Sequence, residues 1–466
     1  MMRDDYDHLV MVEKASTVML FRTGLISATE ARAVAQGIAA LERRTDSRPT
    51  DYAQVQALLE EAAGPDALAA HLGRSRVDLN RTVRRMSQRE AALDAFDATT
   101  DLRRALLDLA TRHRDALVPA YTLGVLAQPT TLGHYLSAYI SALERHGRRL
   151  LGAVRTINRC PLGAAALGTS SFPLDRPMLA DLLGFDAAIE NSFDAAQIAT
   201  LDTNTEVFGT VAGAAIGIGQ FLADLERQFR QTNRWFTLGD PALTGVSTLM
   251  PQKRNPDEIN RLRRETGELL GLQAAYQYKA HGMPHGMPDY AGTDASAALC
   301  RLAATLRDCA GLTAALVFDA DRAEAEVLSD WVTATELASA LQQAGMRLHD
   351  SHAYVSALTD MGRGRGWTIA SVPFAEAGAL YRDRFATAAL PDLPLDAARF
   401  DEALSPSFAV RARRPLGGSQ PEETARMLHG HAGRITRDRA RSAARRGRLD
   451  QAAHHLDRAL ADIGGS

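Results

Sequence analysis

The chain has 466 residues, of which 46% are hydrophobic and 23% charged, and its formal net charge is −3. This length allows a sizeable core, in one large unit or in two or three domains, and the composition is typical of a soluble globular protein. Such a small net charge creates no global field that favours nucleic acid or an anionic membrane, so we expect neither as a partner.

The cysteines and the amino terminus indicate the compartment. The three cysteines, Cys160, Cys300 and Cys309, are widely spaced and form no Cys-x-x-Cys pair. This pattern argues against a disulfide framework or a zinc site and fits a reducing environment. Residues 1–8 are too acidic for a signal peptide, and the apolar stretch 207–219 is too short and glycine-rich to span a bilayer. We therefore predict a cytoplasmic protein.

The amino-terminal part, up to about residue 95, is predicted to form short helices. Ser27 and Glu30 have the spacing of a capping box at the start of one of them. Residues 71–78 then interrupt the pattern with a glycine and two arginines, a composition that is most common in solvated loops.

Long helices are predicted from about residue 99 to residue 345. Residues 131–158 carry one continuous apolar stripe at helical spacing, and a helix of this length indicates a bundle. The apolar stretch 207–219, rich in small residues, suits the crowded centre of such a bundle. Strand-like alternation is scarce, so the sequence predicts an all-α fold with a long central helical bundle.

A smaller helical part is predicted from about residue 346. Ser419 and Glu422 are spaced as a capping box, and the arginine-rich segment 434–448 contains enough acids and alanines to favour a solvated helix over a nucleic-acid patch. These changes in pattern divide the chain into three helical domains: 1–98, 99–345 and 346–466.

The stretch 245–258 is a flexible polar loop that leads into a helix. Asn255 is the expected helix cap, Pro256 the expected first residue and Glu258 the expected capping-box acid.

This loop also carries Ser247 and Lys253, so a hydroxyl, an ammonium and the Asn255 amide come close to a positive helix end. Backbone N–H groups and the helix dipole favour a bound anion there. Composition alone favours another interpretation, an ordinary capped helix with a lysine in the preceding loop.

The same stretch resembles the signature loop of the fumarase/aspartase superfamily, which reads Gly-Ser-Ser-x-Met-Pro-x-Lys-x-Asn-Pro. Its Gln-Lys-Arg-Asn-Pro-Asp ending is most similar to the argininosuccinate lyases. Val246 replaces a glycine of the signature and Thr248 replaces its second serine. The serine that is catalytic in the family falls on Ser247.

Residues 71–78 resemble the argininosuccinate lyase segment His-Thr-Gly-Arg-Ser-Arg-Asn-Asp, in which the second arginine and the asparagine bind substrate. Arg76 retains that arginine, whereas Val77 replaces the asparagine. The resemblance therefore implies one substrate contact kept and one lost.

Residues 121–129 are similar to the family segment Tyr-Thr-His-Leu-Gln-x-Ala-Gln-Pro. Thr122 and Gln128 match, but Leu123 stands where the family has an active-site histidine. The glutamate that pairs with this histidine falls on Asn260. Losing both members avoids an unpaired buried charge, so the change is interpreted as a rebuilt site.

Histidines at other positions are candidates for proton transfer. His134, which the family also has, is interpreted as a structural helix residue. His281 and His285 lie in a Gly/Pro turn and could supply a titratable group near neutral pH, although exposed loop histidines are the commoner case. On a straight count, the family positions that hold substrate just beyond this turn are apolar here: Met287, Pro288, Gly292 and Ala295.

The resemblance covers nearly the whole chain and implies a three-domain helical protein. Members of the family are homotetramers with a twenty-helix core, and each active site draws residues from three chains. If this holds here, Arg76, Thr122 and Ser247 meet only in the assembled protein.

The chemistry implied by the resemblance is anti β-elimination that releases fumarate. A base removes a weakly acidic proton next to a carboxylate while the resulting anion is stabilised electrostatically. Ser247 is the implied base, with Lys253 as its catalytic partner, and no metal or organic cofactor is implied. The implied substrate-binding residues are Arg76, Thr122, Gln128, Thr248 and Asn255.

The leaving group is where the sequence departs from argininosuccinate lyases. We predict a small dicarboxylate substrate, an N-substituted aspartate of the hydrazinosuccinate or nitrosuccinate type, because a weakly basic leaving group needs less help from an acid. Argininosuccinate itself is the second interpretation. A third is a non-catalytic, crystallin-like homologue that acts as a scaffold or binding protein.

Overall fold

A computed structural model describes residues 3–44, 48–231, 234–287 and 294–464, and helices dominate these ranges. The amino-terminal helices are α1 (Asp5–Arg22), α2 (Ala28–Glu42), α3 (Tyr52–Ala63) and α4 (Arg76–Arg112), with a 3-10 helix at Pro65–His71. The central helices are α5 (Leu132–Ile157), α6 (Arg176–Leu182), α7 (Ala199–Gln228), α8 (Asp257–Ala280) and α9 (Ala295–Ala314). The remaining helices are α10 (Ala320–Val327), α11 (Ala334–Gln343), α12 (Leu348–Gly364), α13 (Phe374–Arg384), α14 (Ala397–Leu404), α15 (Pro406–Ala412) and α16 (Pro421–Gly464).

The strands of the described ranges are short and pair two by two. Antiparallel pairs are formed by β1 (Leu117–Thr122) with β2 (Val125–Thr131), β5 (Phe236–Leu238) with β8 (Leu316–Phe318), and β6 (Gly245–Val246) with β7 (Arg254–Asn255). The pair β3 (Arg159–Cys160) with β4 (Ala187–Ala188) is parallel. The prediction of an all-α fold is confirmed.

Long helices build the centre of the molecule. α4 packs along α5 and α9, and α7 lies against α5 and α8, around one large apolar core. The predicted helix over 131–158 is confirmed: Thr131 caps it by accepting the His134 N–H, and Asn158 follows its last residue. Its apolar stripe is buried because positions three and four apart face the same side of a helix.

α7 continues a π-helical turn at Asp194–Ile198, and the two form one helical segment. By length and hydropathy this segment, Asp194–Gln228, could cross a membrane, and 56% of its apolar window is buried inside the protein. The segment is longer than the stretch 207–219 that the sequence analysis judged too short. It remains weak evidence for a membrane, since the core helix of a soluble protein meets the same criterion.

Two further apolar clusters flank the centre. One joins α1–α3 and the start of α4 to the end of α16, and the other is formed by residues 327–404. α4 has 37 residues and crosses residue 98, so this part of the chain is not built from short helices alone. The domain limits 1–98, 99–345 and 346–466 remain a prediction.

The two predicted capping boxes have opposite outcomes. The box of Ser27 and Glu30 is confirmed, with both of its reciprocal hydrogen bonds. The box of Ser419 and Glu422 is wrong, because α16 begins at Pro421 and the Ser419 hydroxyl is buried without a partner among the described residues. The preceding turn is closely packed at Gly418, where a Cβ would collide with the Arg413 carbonyl oxygen.

Candidate active site

Residues 245–255 form a hairpin, called the signature hairpin below. Gly245 pairs with Asn255 and Val246 with Arg254, and the loop between them carries Ser247 and Lys253. The register of two short strands thus brings the serine, the lysine and the asparagine together in one hairpin, just before α8.

The expected cap of the following helix is wrong. Pro256 occupies the capping position without a side-chain bond, and α8 starts at Asp257. Asn255 is one residue too early because its backbone is paired with Gly245, and Glu258 instead binds Arg261 at 2.6 and 2.8 Å. The Asn255 carboxamide makes no hydrogen bond within the described residues, which leaves it available to a ligand.

Gly245 shows why this hairpin begins with a glycine. The Asp257 carboxylate lies against its Cα, in the space that a Cβ would fill. A larger residue at position 245 would require the Asp257 carboxylate to move.

The loop of the signature hairpin presents its functional groups to solvent. The Ser247 hydroxyl accepts the Met250 N–H at 3.1 Å, a donor that would also stabilise an alkoxide. Thr248 and Lys253 are exposed, and the Lys253 ammonium has no carboxylate partner in the part of the chain that the structure describes. An unpaired cation beside a hydroxyl and a helix amino terminus suits a bound carboxylate.

The hairpin of β1 and β2 carries Thr122 and Gln128. Thr122 pairs with Val125, so Leu123 and Gly124 form a two-residue turn in which both residues have positive φ, 52° and 80°. The Leu123 side chain is fully exposed at the tip. A bulky apolar residue in a left-handed conformation is uncommon and marks a constrained turn.

Tyr121 anchors this hairpin to the rest of the chain. Its hydroxyl donates to the Glu326 carboxylate of α10, and the Arg227 guanidinium lies 5.7 Å from the centre of its ring. The hydrogen bond and burial raise the pKa of the Tyr121 phenol above its ordinary value, with burial as the larger cause.

Gln128 lines a groove of about 620 Å³ on the other side of the hairpin. His134 lies in this groove and uses both ring nitrogens, Nδ1 with the Thr130 hydroxyl at 2.8 Å and Nε2 with the Gly417 carbonyl oxygen at 3.0 Å. These contacts fit the structural role that the sequence analysis gave to His134.

The two arginines of 71–78 have different environments. Arg74 is buried and ion-paired with the buried Glu13, at 2.7 Å between Nη2 and Oε1. Arg76 is the first residue of α4, is exposed and has no carboxylate partner within the described residues. The interpretation of the whole segment as a solvated loop is therefore wrong for Arg74, and only Arg76 is free to meet a substrate.

Asp78 ties the start of α4 to a distant loop. Its carboxylate completes a capping box with Ser75 and also accepts the N–H groups of Gly163, at 2.8 Å, and Ala165, at 3.0 Å. Burial raises the pKa of this carboxyl to about 6, although the N–H donors act in the opposite direction.

His285 lies next to the same loop through Gln197 of the π-helical turn. The Gln197 side chain donates to the Ala166 carbonyl at 3.1 Å and accepts the Gly286 N–H at 2.8 Å. The exposed His285 ring packs edge-on against Phe193, with 5.4 Å between the ring centres. Residues 71–78, 163–169, 194–198 and 281–287 thus form one connected surface, called the Arg76 region below.

The predicted site residues fall into three groups within one chain. Ser247, Thr248, Lys253 and Asn255 share the signature hairpin; Thr122 and Gln128 share the β1–β2 hairpin; Arg76, His281 and His285 share the Arg76 region. Among the described residues, no hydrogen bond or ion pair joins one group to another.

The remaining sequence candidates lie near these groups. Asn260 is exposed on α8, Met287 is exposed at the end of its turn, and Ala295 is buried as the first residue of α9. Pro288 and Gly292 lie outside the described residues.

Asp78 and Gln197 were not predicted from the sequence. The spacing of Ser75 and Asp78 is that of a capping box and could have revealed the first. The role of Gln197 had no sequence signal, because its two partners are 31 and 89 residues away. Within the described ranges, no group of three or more His, Cys, Asp or Glu side chains could hold a metal ion.

Comparisons with known proteins identify the family. The protein family described as "Lyase" matches residues 24–271. Argininosuccinate lyases of Methanoculleus marisnigri and Natronomonas pharaonis are each 31% identical to this chain over 96% of its length and cover 91% and 90% of their own.

Solved structures support the same fold. EDDS lyase in complex with formate superposes with a TM-score of 0.90 at 24% identity, covering 99% of this chain and 92% of the other. The class II fumarase of Schistosoma mansoni has a TM-score of 0.68 at 16% identity, over 87% and 90% of the two chains. The chain therefore belongs to the fumarase/aspartase superfamily, where it is argininosuccinate lyase-like, and it is a carbon–nitrogen lyase.

Proposed function

We propose that this lyase releases fumarate from an N-substituted aspartate other than argininosuccinate, with a leaving group of the hydrazine or nitro type. The proposal rests mainly on the residue at position 123, which is a leucine. It occupies the exposed tip of the β1–β2 hairpin, where argininosuccinate lyases have a histidine, and a leucine neither gives nor takes a proton.

The acid–base chemistry at the succinyl group is assigned to the signature hairpin. Ser247 acts as an alkoxide base that takes the proton from the carbon next to a carboxylate. Its hydroxyl oxygen already accepts the Met250 N–H, and the unpaired Lys253 ammonium in the same loop favours its anionic form.

Binding of the dicarboxylate needs cations and amides that have no partner of their own. Lys253 and Arg76 are exposed without carboxylate partners among the described residues, and Asn255 is not used as a helix cap. Thr248, Thr122 and Gln128 are the neutral groups that complete this set. Their joint action on one substrate remains a proposal.

The leaving-group side supports a substrate other than argininosuccinate. The position paired with the family's histidine is Asn260, which is neutral and exposed. A departing nitrogen that is less basic than guanidine needs less help from a general acid. One solved relative with the same fold is named for EDDS rather than argininosuccinate, so members of this fold do not share a single substrate.

We further propose that the protein is a cytoplasmic homotetramer whose active sites combine residues of different chains. Within the described part of one chain, no hydrogen bond or ion pair joins the three groups of site residues. Apolar side chains at or near the loop tips are also exposed: Leu123, Val246 and Leu249. Association would bury these side chains at roughly 25 cal/mol for each Å² of apolar surface.

Mixing two inactive variants tests the shared site. Ser247→Ala and Arg76→Met chains are mixed and allowed to exchange subunits, and the assembly state is followed by sedimentation. Recovered activity in the mixture, absent from either variant alone, is expected. A fully active monomer would contradict the proposal.

The substrate is tested by running the reaction in reverse. The protein is incubated with fumarate and, in turn, arginine, hydrazine, substituted hydrazines, nitrite, hydroxylamine, ammonia or small amines, and new succinyl adducts are identified by mass spectrometry. Ser247→Ala is the inactive variant. Ser339→Ala, on α11 with its hydroxyl bonded to the Thr335 carbonyl, is the matched serine control.

We expect an adduct with a nitrogen nucleophile other than arginine, present with the Ser339→Ala control and absent with Ser247→Ala. An adduct with arginine alone would instead identify an argininosuccinate lyase. A folded protein that makes no adduct with any nucleophile would favour the non-catalytic, crystallin-like alternative.

A further inference from the structure

Gln197 occupies an unusual position in the Arg76 region. It lies in the π-helical turn Asp194–Ile198, where one extra residue is inserted ahead of α7, and only 5% of it is exposed. Such turns are rare and are frequent at functional sites. The Gln197 carboxamide joins two chain segments that have no strand or helix to hold them together.

One of these segments is the loop 163–169. Two of its non-glycine residues, Ala165 and Thr169, have positive φ, 54° and 62°, and the Thr169 N–H closes the loop on the Ala164 carbonyl at 2.9 Å. Strained backbone persists where its surroundings fix it. Asp78 fixes this loop from the side of α4, and the Gln197 N–H bond to Ala166 fixes it from the side of α7.

The other segment is the turn 281–287, which follows α8. Gln197 Oε1 accepts the Gly286 N–H, directly after His285, while Phe193 packs against the His285 ring. His281 is the capping residue directly after α8 and makes no hydrogen bond to the π-helical turn among the described residues. Of the two candidate histidines, His285 is therefore the one whose position Gln197 controls.

We propose that Gln197 is a positioning residue for the elimination: it holds the turn 281–287 against the loop 163–169, so that His285 protonates the leaving nitrogen. This inference rests on the proposed function. It places the leaving-group side of the active site at the Arg76 region, a role for Gln197 that neither the resemblance nor the comparisons assign.

The proton balance of the step is complete. The Ser247 alkoxide takes a proton from the carbon next to one carboxylate, and the carbon–nitrogen bond breaks as the double bond of fumarate forms. The electron pair of the broken bond stays on nitrogen; a hydrazine-type nitrogen takes a proton from the His285 imidazolium, whereas a nitro-type group leaves as nitrite and takes none. Proton exchange with solvent then returns Ser247 to its alkoxide and His285 to its charged form.

Other titratable groups surround the turn and bear on any pH profile. His281 belongs to the turn itself, Asp194 to the π-helical turn, and Arg81 reaches the same turn from α4, with its Nε donating to the Ala196 carbonyl at 2.5 Å. A change in pH profile is assigned to His285 only when His285→Gln produces the same change.

The test replaces Gln197 by methionine, which has a similar length and no amide. Gln54→Met, at an exposed position of α3, is the matched control. Two quantities are measured: hydrogen exchange of the backbone over 281–287, and kcat, KM and their pH profiles with the substrate found in the reverse reaction.

For Gln197→Met we expect exchange over 281–287 to rise by roughly tenfold, because a bond that closes the turn is lost. We expect kcat to fall by about 10–100-fold, KM to change by less than about threefold, and the pH profile to lose the limb that is also lost in His285→Gln. The Gln54→Met control should change none of these.

Gln197→Glu distinguishes the contributions of the two hydrogen bonds that the carboxamide makes, to Ala166 and to Gly286. A carboxylate still accepts the Gly286 N–H but donates nothing to Ala166, so this variant should keep a higher kcat than Gln197→Met. A kcat no higher than that of Gln197→Met would show that the hydrogen bond to Gly286 is not the contact that supports turnover.

The inference and the proposed function fail in different ways. If the wild-type chain forms adducts while Gln197→Met keeps its exchange, kcat and pH profile, the role of Gln197 is wrong and the lyase assignment stands. If the wild-type chain forms no adduct, the proposed function fails, whatever Gln197→Met shows.

Discussion

The signature hairpin and the Arg76 region are held in place in different ways. Within the signature hairpin, the hydrogen bonds are local and join residues within about ten positions, such as Met250 to Ser247 and Asn255 to Gly245. The Arg76 region is held by buried side chains, Asp78 and Gln197, that reach across 31 to 89 residues.

The difference separates side chains that can bind a ligand from side chains that hold the backbone in place. In the signature hairpin the Lys253 and Asn255 side chains make no hydrogen bond or ion pair within the described residues, so their bonding capacity is free for a ligand, and the Ser247 hydroxyl accepts the Met250 N–H. In the Arg76 region the buried polar side chains of Asp78 and Gln197 are already bonded, whereas Arg76, Thr169 and the two histidines are exposed. Substitutions in the two regions should therefore affect different quantities.

The largest expected effect is that of Ser247→Ala on the reaction. Removing the base should lower kcat by on the order of 10³-fold, within the 10²–10⁴ range for acid–base groups. The free energy of unfolding should change by less than about 0.5 kcal/mol, because the hydroxyl is near the surface. Turnover assays measure kcat, and urea unfolding measures the free energy of unfolding. A large loss of both would contradict the contrast between the signature hairpin and the Arg76 region.

Lys253→Met should weaken turnover by on the order of 10²-fold in kcat/KM, about 2.7 kcal/mol of lost transition-state stabilisation. An ammonium that meets a substrate carboxylate is lost, while folding is unaffected. Lys279→Met, an exposed lysine at the end of the same helix that follows the hairpin, is the control and should behave as wild type. A similar loss in both variants would mean that general charge, rather than position, is responsible.

Asp78→Asn should show the opposite pattern and destabilise the fold by about 2 kcal/mol. The amide N–H group of asparagine would face the N–H groups of Gly163 and Ala165, which leaves buried donors without acceptors. Asp66→Asn, at an exposed position before α4, serves as the control. Urea unfolding measures the effect, and an unchanged midpoint would show that this contact does not hold the region together.

A last effect, similar in size to that of Asp78→Asn, concerns acid stability and lies outside both regions. Burial in the central bundle lowers the pKa of His146 to about 4. The unfolded chain binds this proton near pH 6.5, so the contribution of His146 to stability is complete above pH 6.5 and is lost as pH falls toward 4.

His146→Gln should remove this loss, on the order of 2 kcal/mol between pH 7 and pH 4. Because burial also lowers the pKa of His71 and His431 to about 4, the measured quantity is the difference between wild type and variant in urea unfolding at each pH. A difference that is constant across this range would contradict the assignment to His146.

Features that depend on neighbouring residues were predictable from sequence. The long helix α5 follows from an apolar stripe with helical spacing, and the box of Ser27 and Glu30 from residues three apart. The loop 245–258 brings a hydroxyl, a cation and an amide together in the sequence, and its resemblance to the family's signature loop, not its composition, implied that the hydroxyl is a base. The individual roles of these side chains remain predictions.

Only the tertiary structure determined why residues of the same type, such as Arg74 and Arg76, have different environments. Asn255 is not a helix cap because strand pairing with Gly245 competes for its backbone, and Arg74 differs from Arg76 because Glu13, 61 residues earlier, is buried beside it. Gln197 acquires its role only when a loop and a turn from distant parts of the chain meet its side chain. Sequence patterns record local periodicity and motif identity, whereas burial and pairing depend on groups that come together only when the chain folds.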